Sequence, residues 1–307
     1  MKRSFDVIGA PFNQLGFVTT NDNTVDALRR VDGNSWNALS EWMEIRNQRW
    51  GSDITDLGDV QPDDVVLNLI EAGQKEQALI EYSARLKEKV ISSFENHRTP
   101  IVIGGDHVIS VGTVQAALDY YQRQRGEKTA VIWIDAHADC NNSQQSNLHG
   151  KPLALLMDRY SHNGWEVEQG LELEPGDIYY LGVRDLMLNE AALIKDLGIK
   201  NYSMDIIDDR GLRNVMDELL SILESRYDRF FVSFDYDCLD GALFRSCATP
   251  NVGGFSARET LMMIGKLAAH NKFVGIDFVE YLPELDNNGV SKELMIKLID
   301  AVWGFRM

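Results

Sequence analysis

Short runs of apolar, β-favouring residues recur along the chain at 5–8, 100–103, 130–134, 178–181, 230–233 and 273–278. Between them, residues 72–94, 110–124, 189–197 and 212–226 carry apolar positions at helical spacing. Ser256-Ala257-Arg258-Glu259 is a capping box that opens a helix to about Ala269, and Ser291 is read as the cap of a final helix running through Val302. Strand–helix alternation of this kind predicts an α/β fold with a mostly parallel central sheet covered on both faces. Sites in such sheets gather at the carboxyl ends of the strands. No internal repeat, low-complexity tract or long Pro/Gly/Ser linker divides the chain, so residues 1–307 are expected to form one domain. The acidic, turn-rich stretch 53–64 reads as a surface loop.

Composition narrows the partners more than the fold. A chain of 307 residues, 44% apolar, can bury a large core. Its net charge of −17 argues against nucleic acid or an anionic membrane, both of which require basic patches. Three cysteines, an odd number, make no disulfide framework and suit a reducing cytoplasm. The opening Met1-Lys2-Arg3-Ser4 has a basic pair, but Pro11 breaks the apolar stretch after it, and no later run approaches membrane-span length. A cytoplasmic protein is expected.

The chemistry lies where the apolar runs stop. Gly104-Gly105-Asp106-His107 follows one run, Asp135-Ala136-His137-Ala138-Asp139 follows 130–134, and Asp235-Tyr236-Asp237 follows 230–233. If the strand direction continues, Asp135, His137 and Asp139 point to one side, because i, i+2 and i+4 share a face. Any one motif alone has an ordinary explanation: a packed histidine for His107, an Asp-rich loop for Asp235 and Asp237. Together they place carboxylates and imidazoles at the ends of buried strands, where a divalent cation is the simplest neutralising partner. Four carboxylates (Asp135, Asp139, Asp235, Asp237) and two imidazoles (His107, His137) exceed the needs of one tetrahedral zinc and suit two ions. The oxygen-rich set favours Mn²⁺ over Zn²⁺, with Ni²⁺, Co²⁺ and Fe²⁺ as alternatives. Two cations about 3.5–4 Å apart lower the pKa of a shared water from ~15.7 towards ~7, which points to metal-assisted hydrolysis.

Gly-Gly-Asp-His, Asp-Ala-His-Ala-Asp-Cys-Asn, Asn-Leu-His-Gly and Ser-Phe-Asp-Tyr-Asp-Cys-Leu-Asp, in this order, resemble the ureohydrolase family of arginases, agmatinases and formiminoglutamases, with arginase nearest. The resemblance runs from Ile8-Gly9-Ala10-Pro11 to Glu280-Tyr281-Leu282-Pro283. It implies a three-layer α/β/α sandwich with two Mn²⁺ per subunit. His107, Asp135, Asp139 and Asp235 would hold one ion; Asp135, His137, Asp235 and Asp237 would hold the other. It further implies hydrolysis by a metal-bridging hydroxide, with Asp139 passing the proton to the leaving amine and His149 shuttling protons. Glu280 would pair with the substrate guanidinium, for which a planar bidentate carboxylate is the matching acceptor. Without the resemblance, Glu280 reads as a surface residue after a strand and His149 as a loop histidine. A small guanidino substrate and a homo-oligomer, trimer or hexamer, are also implied.

The resemblance is closest to arginase around Asn141, Asn147-Leu148-His149-Gly150, Arg184-Asp185 and Ala248-Thr249-Pro250. On that basis Asn141, Asn147, Glu190 and Thr249 are candidate substrate-binding residues, Asn141 toward an α-carboxylate. Four departures surround them. The loop between Asp139 and His149 is shorter than in arginases, and Met187 stands where an aspartate meets the α-amino group. Residues 16–23 replace a Gly-rich stretch, and Gly241 replaces a proline. The reading is therefore a manganese arginase making urea and L-ornithine, with agmatinase, another guanidino-acid hydrolase or formimidoylglutamase as alternatives. A non-catalytic metal-binding relative is the reading from a different class. A single-zinc deacetylase is disfavoured by the six-ligand set and Glu280.

Overall fold

Strands and helices alternate through the computed structural model, which describes residues 3–16, 18, 24–31, 38–160 and 164–305. In chain order the elements are β1 (Ser4–Ala10), α1 (Thr24–Arg29), α2 (Leu39–Trp50), β2 (Asp53–Asp59), α3 (Asp64–Glu71), α4 (Lys75–Glu95) and β3 (Thr99–Gly104). Next come α5 (Ser110–Ala117), β4 (Thr129–Ile134), α6 (Pro152–Leu156), β5 (Ile178–Leu181), α7 (Leu188–Leu197), β6 (Lys200–Tyr202) and α8 (Met204–Arg210). The chain closes with α9 (Leu212–Arg226), β7 (Arg229–Asp235), α10 (Ala257–Ala269), β8 (Phe273–Val279) and α11 (Val290–Val302).

The strands form one eight-stranded sheet in the order β2-β1-β3-β8-β7-β4-β5-β6, and every pairing is parallel. Successive side chains of a strand enter opposite layers. Ala130, Ile132 and Ile134 of β4 join one core with α1, α2, α9, α10 and α11, while Val131 and Trp133 join a second core with α4, α5 and α6. The result is the expected three-layer α/β/α sandwich. Continuous apolar strands are its signature, because both sheet faces are covered.

All six expected strands are present, and α9 and α10 have the anticipated bounds, the latter with the Ser256–Glu259 capping box. Three readings are corrected. Residues 53–59 are not a loop but β2, paired in parallel with β1 at the sheet edge. Its aspartates hid it: Asp53 is held by Arg98 at 2.9 Å, while Asp56 and Asp59 are held by Arg29 at 2.7 and 2.6 Å. Charged residues on an edge strand also discourage pairing with other chains. The helix anticipated from 72 begins at Lys75, because Gly73 takes a left-handed φ of 75° between α3 and α4. Ser291 does not cap α11. Gly289 occupies that position, and the Ser291 hydroxyl instead bonds Tyr236 and Ser246 inside the fold.

Candidate metal centre and active site

β3, β8, β7 and β4 lie side by side at the middle of the sheet, and each ends in one of the polar motifs. After β3 the chain turns through Gly105, where a Cβ would lie 2.9 Å from the Phe12 carbonyl oxygen. The turn delivers His107, fully buried and stacked on Trp133 with ring centroids 4.1 Å apart and planes 8° apart. His107 Nε2 lies 2.9 Å from Ser233 Oγ, and that hydroxyl donates to Asp277 Oδ1 at 2.6 Å. Having spent its proton on Asp277, Ser233 accepts from Nε2–H, which leaves a lone pair on Nδ1. Among the described residues Nδ1 has no hydrogen bond. It faces carboxylate oxygens of Asp135, Asp139 and Asp235 at 3.2, 3.0 and 2.9 Å.

The second motif works through a turn, not through strand alternation. β4 stops at Ile134, and Asp139 takes a left-handed φ of 48°, a strained conformation for a non-glycine residue. Asp135 Oδ1 accepts the His137 N–H at 2.7 Å, and Oδ2 accepts the Trp133 indole N–H at 2.9 Å. The third motif repeats the device, with Asp235 Oδ1 accepting the Asp237 N–H at 2.7 Å. His137 Nδ1 then lies 3.6 Å from Asp135 Oδ1 and 3.0 Å from Asp237 Oδ2. Two donor groups result, His107/Asp135/Asp139 and Asp135/His137/Asp237, each with its ligand atoms within 4.8 Å of one another. Asp135 belongs to both, one oxygen to each histidine. Asp235 joins the first group through His107.

These six groups carry an excess of negative charge even with both imidazoles protonated. Burial pushes the carboxyls of Asp139, Asp235 and Asp237 upward. Burial disfavours charge on His137, but Asp135 and Asp237 outweigh it and raise the imidazole to about 12. A buried, orphaned imidazole nitrogen facing three carboxylates fits a divalent cation, and the nitrogen-plus-oxygen donor set is that of a transition metal.

A third cluster lies alongside: Asp106, His149 and Glu280, with ligand atoms again within 4.8 Å. Glu280 follows β8 with a left-handed φ of 65°, its N–H donating to Gly105 O at 2.7 Å. It is buried, not a surface residue. Its Oε1 accepts the His107 backbone N–H at 2.9 Å and lies 3.9 Å from His149 Nδ1. One of the two oxygens expected to face a guanidinium is thus shared with the backbone. Burial opposes protonation of His149, but Glu280 and Asp106 raise it to about 10. Asp106 was not among the expected site residues. Its Oδ2 has no partner among the described residues, and its place beside His107 in the Gly-Gly-Asp-His motif was the available signal.

The centre opens into a cavity of about 630 Å³ whose wall includes His137, Asp139, His149, Asn141, Asn147, Glu190 and Thr249, all expected there. Thr249 Oγ1 donates to Asp237 Oδ2 at 3.0 Å, and Glu190 accepts the Met187 N–H at 2.9 Å, capping α7. Burial pushes the Glu190 carboxyl up to about 7. Gly150, Asp185 and Pro250, from segments the resemblance already singled out, also line it, as does Met187; Gln145, Ser146, Arg245 and Asn251 line it too and were missed, since they carry no motif of their own.

The Arginase family model matches residues 3–304. The chain belongs to the arginase family. That places it among the ureohydrolase enzymes. Arginase from Staphylococcus aureus (strain COL) is 32% identical over 260 residues, covering 82% of this chain and 84% of that one. Arginase from Bacillus subtilis (strain 168) is 30% identical over 313 residues, covering 100% of both. The crystal structure of arginase from Bacillus subtilis superposes with a TM-score of 0.82 at 27% identity, covering 99% of this chain and 100% of that one.

Two departures from the arginase pattern acquire physical reasons. A Cβ on Gly241 would lie 2.9 Å from backbone atoms of Asn251, and its N–H donates to Asn251 O at 2.9 Å, so a proline is excluded twice over. Met187 is 64% exposed just before α7 and lines the cavity together with the carboxylates of Asp185 and Glu190. Of the 16–23 departure, Phe17 and residues 19–23 lie outside the described residues.

Proposed function

We propose that this arginase-family enzyme hydrolyses L-arginine to L-ornithine and urea in the cytoplasm, as a homo-oligomer (trimer or hexamer) with two manganese ions per subunit. The observation that carries the reading is the shared carboxylate of Asp135, set between His107 and His137 beside Glu280. His107, Asp135, Asp139 and Asp235 would hold one ion and Asp135, His137, Asp235 and Asp237 the other. When bound, such a pair supplies Lewis-acid polarisation and acidifies water to a nucleophile at neutral pH.

The chain's own residues do the rest. A guanidinium carbon is a poor electrophile, so it must be held in place; Glu280, fixed by its bond to His107 N–H, anchors the planar cation. Asp139, which lines the cavity, accepts the proton that the attacking water sheds and passes it to the departing amine. The C–N bond to the side-chain nitrogen breaks, and that nitrogen leaves as an amine. His149, kept protonated by Glu280 and Asp106, stands on the cavity wall where it can shuttle protons between the site and solvent. Asn141, Asn147, Thr249 and Glu190 line the wall that would receive the amino-acid end.

A substrate panel on manganese-loaded protein tests this. A charged hydrogen-bonded contact contributes about 1.5–3 kcal/mol, so kcat/KM for L-arginine should exceed that for agmatine by about tenfold to a hundredfold. No gain from the α-carboxylate would end the arginase reading in favour of agmatinase or another ureohydrolase. Asp139→Asn should lose most of its turnover, and retained activity in that variant would break the proton-transfer role. A monomer by light scattering would overturn the oligomer.

A further inference from the structure

The short loop between Asp139 and His149 has no core of its own: none of residues 141–147 is buried. Nevertheless Asn141, Gln145, Ser146 and Asn147 form one wall of the cavity. What shapes the loop lies beneath it. Lys151, which precedes the Pro152 that opens α6, has no exposed surface. Its ammonium donates to the Asn141 carbonyl at 3.2 Å, to the Ser143 carbonyl and to the Ser146 hydroxyl. Three acceptors match the three ammonium protons, and all three come from the loop. The same ammonium lies 4.4 Å over the Tyr160 ring, whose hydroxyl bonds Glu76 at 3.2 Å. Burial lowers the Lys151 pKa to about 8, with Glu76 and Glu190 opposing. The loop's other ties include Asn141 N–H to Gly150 O at 3.0 Å, and Asn189 Nδ2 to Asn141 Oδ1 at 2.9 Å and to Asn142 Oδ1 at 3.2 Å.

We propose that Lys151 is a specificity-positioning residue, an internal staple that sets the shortened loop so that Asn141 and Asn147 meet the amino-acid end of the substrate. The inference rests on the L-arginine reading. Lys151 does not line the cavity and touches no substrate; it acts through the loop. An ammonium suits this task better than an apolar side chain, because it donates to the part-buried carbonyls that it gathers, which an apolar group would leave unpaired.

Lys151→Met keeps the stem and removes the donors. Without the staple, the loop's order must be recovered on binding, so KM for L-arginine should rise about tenfold or more with kcat within about threefold. The L-arginine to agmatine ratio of kcat/KM should fall by a similar factor, because agmatine lacks the group that the loop reads. Amide exchange of residues 141–147 should quicken while β4 and β7 stay protected, a readout independent of turnover. A folded Lys151→Met with unchanged ratio and unchanged exchange overturns the proposal. Should that variant not fold, Ser146→Ala removes one of the three acceptors and is judged by the same two readouts, with a smaller expected shift. A wild-type ratio near one would instead refute the arginine reading. The exchange comparison then decides on the staple alone, and unchanged protection of 141–147 refutes it.

Discussion

The metal-facing side of His107 was legible at the residue scale, because ligand-type residues at strand ends form a pattern. The side that orients it was not. Ser233 and Asp277 sit inside apolar strands, and nothing local says that they meet; the parallel register of β7 and β8 pairs them directly. Two roles follow from that pairing. Asp277 takes the Ser233 proton, so Ser233 can only accept from His107 Nε2, and Nδ1 is left to the centre. Ser233→Ala removes the relay without touching a ligand. Manganese affinity, measured by titration against a competing chelator, should fall about tenfold to a hundredfold, as for other lost partners of metal-bound histidines. An unchanged affinity would show that stacking on Trp133 alone holds the ring. Lys151 escaped notice for a related reason. A lysine between glycine and proline reads as surface until the loop's carbonyls are seen to close over it.

At the scale of elements, the pattern of apolar runs carried the sheet well and its edges poorly. The interior strands β3, β4, β7 and β8 are apolar along their length and were read with near-correct bounds. The outer strands β2 and β6 were missed, since solvent and ion pairs on one side let them carry Asp and Lys. Convergence of the motifs was anticipated, yet its cause differs: tight turns after β4 and β7 gather the ligands, with carboxylates accepting N–H groups two residues on. Helix packing adds a constraint invisible in the pattern. A Cβ on Gly112 of α5 would lie 2.9 Å from the Ser83 carbonyl oxygen and 3.2 Å from Leu86 Cβ of α4. Alanine at 112 gains about 1 kcal/mol of helix propensity, but forcing two buried helices apart costs about 1–3 kcal/mol. The backbone oxygen cannot rotate away, so overpacking wins. Gly112→Ala should lower the urea midpoint with an unchanged slope, and an equal or higher midpoint would refute this packing.

For the whole molecule the governing quantity is charge. The chain carries a net −17, and the carboxylates of Asp135, Asp139, Asp235 and Asp237 are buried together at the middle of the sheet. Like charges confined there destabilise the folded chain unless cations answer them, so the centre is a load on the fold as well as its reactive part. A cation that binds the folded chain alone stabilises it by about 2.7 kcal/mol when free metal is a hundredfold above its dissociation constant. Removing metal with a chelator should therefore lower Tm by several degrees. The pH dependence has a definite sign. Burial raises the carboxyls of Asp139, Asp235 and Asp237, so in the metal-free chain they hold protons that the unfolded chain has already released. Their protonation favours the metal-free fold at low pH, and that advantage fades as pH rises through their raised range. Metal must displace those protons, so its affinity strengthens over the same range. Both effects widen the gap between metal-loaded and metal-free Tm as pH rises from below to above that raised range. Calorimetry with and without manganese at both ends of that range reads it directly; a gap that is constant or narrows with rising pH would mean that these carboxylates do not hold the metal.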